Sequence, residues 1–155
     1  MEFSEKGTLK ILKAKPVNKI FIDANILIDN FDGSRAFHAQ SYNALKYAIE
    51  KDIKIYTSSD IITTIYYVLK KRFSNVIEYI KKLSTICDIV GFTNSDLNKA
   101  LYIMETNTEI TDFEDTIQYI IAQKINCSLI ISNDKNFPHI DIKVVSSKEF
   151  TENFR

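Results

Sequence analysis

The chain has 155 residues, of which 20 are basic and 20 acidic, so its formal net charge at pH 7 is zero. This length suits one domain, and an apolar content of 45% is enough for a substantial core. There are only 3 Gly and 2 Pro residues, which argues against long disordered stretches. Because the whole chain has no excess of positive charge, any nucleic acid would have to be held by a local basic rim.

Residues 1–17 stand apart from the rest of the chain and end near Pro16. They have no apolar run of signal-peptide length, and no segment reaches the ~20 apolar residues of a membrane span. We interpret them as an N-terminal extension, either a basic arm or an extra edge strand, before a single domain over residues 18–155. Cys87 and Cys127 have no metal-binding spacing and are predicted to be buried thiols. We expect a cytoplasmic protein with no membrane partner.

Short apolar runs alternate with helical patterns through the rest of the chain. Most runs are continuous and rich in β-branched residues, which is typical of strands buried on both faces of a parallel sheet. The predicted strands are residues 20–22, 53–56, 86–90, 129–131 and 142–145. The predicted helices cover about residues 34–50, 60–72, 93–105 and 111–125, with another beginning near residue 75. We therefore predict an α/β fold, a three-layer α/β/α domain with a mainly parallel sheet of about five strands.

Two of these helices have a predicted buried face. In the first, Ser34 is the expected N-cap, and the expected apolar stripe is Phe37, Tyr42, Leu45 and Ile49. In the helix before the fourth strand, the expected stripe is Phe113, Ile117, Ile120, Ile121 and Ile125. Other helix starts are predicted from pairs three residues apart: Asn75 with Glu78, Thr93 with Asp96, and Thr111 with Glu114.

Aspartates follow two of the predicted strands. Asp23 comes directly after the first strand and Asp134 shortly after the fourth, while Asp112 and Asp115 share one face of the helix between them. In an open parallel sheet, ligands bind beyond the C-terminal ends of the strands, so these acids are expected to converge there. Taken singly, these acids are better explained as turn residues or helix-terminal acids.

Converging carboxylates repel each other unless a positive charge lies among them. Mg²⁺ or Mn²⁺ is the natural occupant of such an oxygen site, and either ion can activate water and stabilise charge on a phosphate. The sequence has no P-loop, GxSxG or GxGxxG motif, and His38 and His139 have no HExxH-type partner. The residues alone therefore leave two alternatives, a metal site and a set of structural acids.

Four stretches resemble motifs of the PIN-domain family, in the family's order, across about residues 18–150. Residues 19–29 (KIFIDANILID) resemble its opening strand, in which an acid is followed two residues later by Asn or Ser. Residues 58–69 (SSDIITTIYYVL) resemble its central helix, and residues 112–119 (DFEDTIQY) its third, acidic motif. Residues 130–137 (IISNDKNF) resemble its fourth motif, in which a strand ends in Asn or Asp shortly before Phe.

The resemblance implies catalytic metal ligands at Asp23 and Asp115. It implies that Asp134 completes the cluster, with Asn133 as the alternative at that motif, and it makes Asp112 an accessory acid. Asn25 would orient Asp23 or contact a phosphate.

The resemblance also implies a function, the hydrolysis of RNA phosphodiester bonds with Mg²⁺ or Mn²⁺. Within the family the chain looks like the toxins of VapBC-type toxin–antitoxin pairs. The implied partners are RNA, a small antitoxin lying over the site, and a second copy of the chain in a homodimer.

The central helix departs from the family pattern, because many members have a glutamate where this chain has Thr64. The site is therefore expected to carry one carboxylate fewer. Asp60 shares a helix face with Thr64, but it lies roughly 6 Å away along the axis and suits a first-turn acid, so a simple substitution is disfavoured. The departure favours an alternative function, a PIN-fold module that binds RNA or protein through a weakened metal site. A phosphatase of the haloacid-dehalogenase kind is disfavoured, because Asn25 stands where its second acid is expected.

Several surface residues remain open to two interpretations. The basic residues at 70–72, 81 and 82 either hold RNA phosphates or are solvated helix ends. Of Tyr66 and Tyr67, we expect at least one to pack. The remaining acids are interpreted as surface residues: Asp29, Asp32, Asp88 and Asp141.

Overall fold

The computed structural model describes residues 16–154. The strands are β1 (Lys19–Ile22), β2 (Lys54–Ser58), β3 (Cys87–Val90), β4 (Leu129–Ile131) and β5 (Val144–Val145). The helices are α1 (Ala24–Phe31), α2 (His38–Glu50), α3 (Ser59–Leu69), α4 (Val76–Ile86), α5 (Asn94–Thr106), α6 (Phe113–Lys124) and α7 (Ser147–Asn153). The predicted extension lies outside the described residues except for Pro16 and Val17, so its boundary remains a prediction.

The five strands form one sheet in the order β3-β2-β1-β4-β5, and every neighbouring pair is parallel. The register pairs Phe21 with Tyr56 on one side of β1 and Ile22 with Ile131 on the other. The predicted five-stranded parallel sheet is confirmed. At its C-terminal edge, both β1 and β4 are followed by an aspartate, Asp23 and Asp134 respectively.

Helices cover both faces of the sheet. Ile20 and Ile22 of β1 point into a core formed with α1, α2, α3, α4 and α7. Phe21, between them, points to the other face and packs with residues of α5 and α6. Because side chains alternate along a strand, a run that is apolar on both faces requires such double coverage, and the predicted three layers are confirmed.

Two helices were missed from the sequence. The first, α1, is eight residues long and buries Ala24, Ile26, Leu27, Ile28 and Asp29, so it lacks the polar face that reveals a helix. The second, α7, begins with a capping box in which Ser146 and Glu149 satisfy each other's backbone N–H. The spacing of Ser146 and Glu149 is itself a sequence signal for a helix start.

The predicted start and buried face of α2 are wrong. Ser34 is not its N-cap, because its hydroxyl instead donates to Asp32 and the helix begins at His38. Three members of the predicted stripe are about half exposed, namely Phe37, Tyr42 and Ile49. The face that is buried consists mostly of small residues, Ser41, Ala44, Leu45 and Ala48, which allow close approach to α1 and α7.

Other helix predictions are mixed. Thr93 and Asp96 form the expected capping box of α5. Asp112, not Thr111, caps α6, and Phe113 is 43% exposed although its predicted companions on α6 are buried. Asn75 occupies the N-cap position of α4, but its side chain makes no capping hydrogen bond.

Cys87 and Cys127 are buried free thiols, as predicted. None of the helices within residues 16–154 combines the length and the apolar character needed to cross a membrane.

Candidate active site

Three polar residues form a row across the C-terminal edge of the sheet. Asp23 directly follows β1, Ser58 is the last residue of β2, and Ser132 directly follows β4. Continuing the parallel register beyond the last bonded pairs places Asp23 opposite Ser58 on one side and Ser132 on the other. Adjacent strands lie about 4.8 Å apart, so the three residues are neighbours in space.

The row faces helix α6. Each of its residues comes two positions after an apolar residue of the same strand, namely Phe21, Tyr56 and Ile130, and all three of these pack in the core formed with α6. The period of two along a strand puts the polar residues on that same face. Asp23 therefore points toward the N-terminal half of α6, where the third acidic motif begins.

Asp23 is almost completely buried, with 1% of its surface exposed. Ser132 Oγ donates to its Oδ2 at 2.8 Å, and the Gln118 side chain also hydrogen-bonds to it. Burial raises the pKa of Asp23 to about 6 despite these hydrogen bonds, and the charge of Asp134 adds to the rise. The carboxylate is thus held in place by neutral partners, and no cationic side chain of residues 16–154 pairs with it.

Asp115 lies in the first turn of α6, where its backbone N–H donates to the Asp112 cap at 2.9 Å. Gln118 Nε2 donates to Asp115 Oδ1 at 3.2 Å. Partial burial raises the pKa of Asp115 to about 8, and the charges of Asp23, Asp112 and Asp134 add to the rise. Asp115 therefore experiences the charge of acids from three separate parts of the chain, around Asp23, Asp112 and Asp134.

The two alternatives at the fourth motif occupy different places. The Asp134 side chain caps its own turn by accepting from Asn136 N–H at 2.8 Å, and its charge acts on the acid cluster. Asn133 instead joins two helices, because its Nδ2 donates to Ser41 of α2 and its Oδ1 accepts from Ser147 of α7. Asp134 thus acts on the acids through its charge, whereas the Asn133 side chain is engaged between α2 and α7.

Asn25 is near the cluster without touching Asp23. It lies on α1 and lines a depression together with Arg35, Asn133 and Asp134. Among the hydrogen bonds of residues 16–154, none joins Asn25 to Asp23. The contacts that orient Asp23 come from Ser132 and Gln118, neither of which was predicted to lie at the site.

Thr64 faces α6, and its hydroxyl donates at 2.8 Å to Glu114 Oε2, 50 positions further along the chain. The Glu114 carboxylate of α6 thus lies against Thr64, the residue that replaces the family's glutamate on the central helix α3. Burial raises the pKa of Glu114, and the charges of Asp60 and Asp112 contribute, although the Thr64 bond opposes the rise. Asp60 lies in the first turn of α3, as predicted, and its Oδ1 is buried without a hydrogen-bond partner among the described residues.

A PIN domain profile matches residues 19–136, which is most of the chain. The chain belongs to the PIN-domain family. It is 40% identical over 135 residues to Ribonuclease VapC1 of Aquifex aeolicus, and the match covers 86% of this chain and 94% of the relative. The resemblance to VapC-type PIN ribonucleases inferred from the motifs is confirmed.

Solved structures with the same fold include VapC20 of Mycobacterium tuberculosis, described as a sarcin-ricin loop cleaving toxin. It has a TM-score of 0.64 and 15% identity over 80% of this chain and 98% of that one. VapBC2 of Rickettsia felis, bound to a promoter DNA fragment, has a TM-score of 0.64 and 15% identity over 83% and 98%. A toxin–antitoxin complex from Klebsiella pneumoniae has a TM-score of 0.65 and 19% identity over 83% and 97%.

The acid set of this PIN domain fits a hard divalent cation in its chemistry. Every donor is an oxygen, and none of the salt bridges within residues 16–154 involves Asp23, Asp115 or Asp134. In the same residues, no three acidic, histidine or cysteine side chains lie close enough to hold a metal ion as they stand. The fit is one of charge and donor type, and it is not a ready-formed coordination sphere.

Two acids interpreted as surface residues are in fact buried. Asp29 is 2% exposed and pairs with Arg35, while Asp32 is 5% exposed and pairs with Arg72 at 2.8 Å. Asp88 and Asp141 are exposed, as predicted. The error arose because the partner Arg72 is 40 residues away from Asp32, and nothing in the local sequence indicates the pair.

The sequence reasoning missed four polar residues of this site: Ser58, Glu114, Gln118 and Ser132. Gln118 had a usable signal, since it follows Asp115 by three positions on the same helix face. The two serines depend on the register between strands, which a single sequence does not contain.

Proposed function

We propose that this PIN domain is a metal-dependent endoribonuclease that hydrolyses RNA phosphodiester bonds, and that it is the toxin of a toxin–antitoxin pair. The observation that carries the proposal is the convergence of Asp23 and Asp115, neither of which has a salt-bridge partner in the part of the chain that the structure describes. Both carboxyl groups have raised pKa values, about 6 and about 8. A divalent cation would remove this repulsion. The ribonuclease name of the 40% identical relative supports RNA as the substrate class.

In this proposal Asp23, Asp115 and Asp134 hold the cation, Mg²⁺ or Mn²⁺, and Asp112 is an accessory acid. The cation supplies two kinds of chemistry when bound, since it lowers the pKa of a coordinated water and stabilises charge on the phosphate. The chain's own residues hold the acids ready for it. Gln118 contacts both Asp23 and Asp115, so one amide fixes their mutual orientation.

The substrate is expected to lie over the depression beside Asp134. Asn25 and Arg35 line it on one side, and Lys135 borders the adjoining depression with Asp134. We propose that the Asn25 amide donates to a phosphate oxygen of the RNA.

The basic residues at 70–72, for which contact with RNA phosphates was one of two interpretations, are poorly placed for this role. Helix α3 starts at the site edge and rises ~15 Å over its 11 residues, so its C-terminal lysines lie at the opposite end. Arg72 is engaged with Asp32, and Lys70 lies over the rings of Tyr66 and Tyr67. Of these rings, Tyr66 packs against the core, as expected for at least one of them, and Tyr67 is 58% exposed.

Partner binding is supported by exposed apolar side chains. They include Tyr42, Ile49, Tyr67, Leu101 and Tyr102, each at least 43% exposed. We propose that a second copy of the chain and an antitoxin cover these surfaces. Light scattering at tens of micromolar is expected to give a dimer, and a monomer would contradict the pairing.

The deciding experiment measures cleavage of RNA with Mn²⁺ or Mg²⁺, then with excess EDTA, and then after the metal is restored. We expect cleavage to stop with EDTA and return with metal. RNA binding measured in parallel separates the alternative, a binding module with a weakened metal site, which Thr64 favours. Tight RNA binding with no cleavage at saturating Mn²⁺ would support that module and contradict the nuclease.

A further inference from the structure

The polar row at the sheet edge is asymmetric. Asp23 lies between two serines, Ser132 and Ser58, that are in register with it. Ser132 donates to Asp23 at 2.8 Å, whereas Ser58 Oγ has no hydrogen-bond partner in the part of the chain that the structure describes. Ser58 is fully buried, with 0% of its surface exposed. A free buried hydroxyl therefore lies one strand away from the central carboxylate.

Gln118 is a second fully buried side chain with an unsatisfied oxygen. Its Nε2 donates to Asp115, its amide also hydrogen-bonds to Asp23, and its Oε1 has no partner among residues 16–154. In this orientation the amide presents its N–H donors to the acids and leaves its oxygen free to accept. Since Oε1 and Nε2 share one carbon, the unsatisfied oxygen lies beside the acid pair.

The unsatisfied atoms are concentrated in one part of the molecule. Within residues 16–154, four buried side-chain polar atoms lack a partner, and they belong to Gln40, Ser58, Asp60 and Gln118. All but Gln40 lie at the C-terminal edge of the sheet or on the helices that meet it. Folded proteins leave few buried polar groups unsatisfied, so such a concentration indicates bound solvent or a ligand.

We propose that Ser58 and Gln118 form the neutral side of the metal site, where their unsatisfied oxygens hold hydration water of the cation bound by Asp23 and Asp115. This inference rests on the proposed function. Mg²⁺ in particular gives up its water reluctantly and keeps several water ligands in proteins. A hydroxyl and an amide carbonyl accept hydrogen bonds from such water without adding charge. Ser58 and Gln118 are thus positioning residues that act through the cation's solvent shell.

Metal binding without RNA tests the proposal directly. Titration calorimetry with Mn²⁺ at fixed pH compares Ser58→Ala and Gln118→Leu with two control variants, Ser59→Ala and Gln123→Leu. The controls change an exposed neighbour of Ser58 and an exposed glutamine on the same helix as Gln118. We expect each test variant to weaken Mn²⁺ binding by about tenfold or more, as is usual for residues that support metal ligands, and each control to leave it unchanged. Wild-type affinity in both test variants would overturn the proposal.

Thermal unfolding in EDTA separates this role from a structural one. Ser58 occupies the N-cap position of α3 but makes no capping hydrogen bond. Ser58→Ala should therefore melt at or above the wild-type temperature in EDTA. When Mn²⁺ is added, its melting temperature should rise less than that of wild type. A lower melting temperature in EDTA together with the full gain from Mn²⁺ would show that the hydroxyl is only structural.

A reference variant distinguishes failure of this inference from failure of the proposed function. Asp115→Asn should lose Mn²⁺ binding if the acids hold the metal. If Asp115→Asn binds Mn²⁺ like wild type, the proposed metal site itself is wrong, and this inference falls with it. If Asp115→Asn loses binding while Ser58→Ala and Gln118→Leu keep it, only the inference about the neutral side is wrong.

Discussion

The protein buries carboxylates in two kinds of surroundings. Asp29, Asp32 and Asp96 each pair with a cation, respectively Arg35, Arg72 and Lys124. Asp23 and Asp115 lie at the C-terminal edge of the sheet, and within residues 16–154 their side chains hydrogen-bond only to neutral groups.

The two kinds of surroundings shift the pKa in opposite directions. The pKa of Asp32 is lowered by the hydrogen bond from Ser34, with the charge of Arg72 contributing. The pKa of Asp96 is lowered because hydrogen bonds from Lys124 and Thr93 outweigh its burial. At the sheet edge, burial and mutual repulsion raise the pKa of Asp115 instead. An acid that folding has neutralised supports the structure, whereas acids left to repel one another are what a cation-binding site requires.

The largest expected difference between the two kinds of acid is in catalysis. Asp115→Asn should lower RNA cleavage by more than about 100-fold. Mutating a residue that merely supports a metal ligand already lowers metal affinity or activity about 10–100-fold. Asp96→Asn makes the same isosteric change at the paired acid on α5. It should leave the rate within about twofold, because substitutions at distant sites act independently of the active site. Rates come from single-turnover cleavage at saturating Mn²⁺. Comparable losses in the two variants would remove the distinction.

The same two variants should differ in the sign of their effect on stability. Asp96→Asn removes the charge that pairs with Lys124 and weakens the α5 capping box, so it should cost about 1–2 kcal/mol. Asp115→Asn removes a repelled charge and should leave the free energy of unfolding in EDTA unchanged or higher. Urea unfolding at pH 8 measures both. A clear loss of stability in Asp115→Asn would mean that its charge is needed by the fold.

The pH dependence of the metal-free protein sharpens the same contrast. The pKa of Asp115 rises from the ordinary 3.8 to about 8 in the folded state, so the folded state binds more protons than the unfolded state between these values. The contribution of Asp115 to stability is therefore fully present below pH 3.8 and is lost as the pH rises toward 8. In EDTA, wild type should lose stability relative to Asp115→Asn across this range. A difference that stays constant with pH would show that Asp115 is not perturbed.

The sequence indicates the candidate acids but not their surroundings. Asp23, Asp115 and Asp134 were identifiable because their positions after strands and at a helix start are local features. Ser58 depends on the register of β2 against β1, and the Arg72 partner of Asp32 lies 40 residues away. The face of α2 was misassigned for a similar reason, since close packing on α1 and α7 selects small residues over its aromatic ones.

Glu114 lies between the two kinds of acid, because its partner is the neutral hydroxyl of Thr64. Thr64 points at the acidic N-terminal turn of α6, so a carboxylate at this position would join the unneutralised group. We therefore expect Thr64→Glu to tighten Mn²⁺ binding, by less than about tenfold, because hard-cation affinity depends on ligand charge. RNA cleavage at limiting Mn²⁺ should rise with it.

The added charge should also have a cost in the absence of metal. It would lie against Glu114, so the variant should be less stable than wild type in EDTA, and added Mn²⁺ should stabilise it more than it stabilises wild type. Thr85→Glu, at an exposed threonine of α4, is the matched control and should change neither property. Calorimetry and unfolding with and without Mn²⁺ measure the two effects on the same samples. If Thr64→Glu bound Mn²⁺ no better than wild type, the Thr64–Glu114 contact would belong with the structural pairs. The acid group at the sheet edge would then end at α6 without extending to α3.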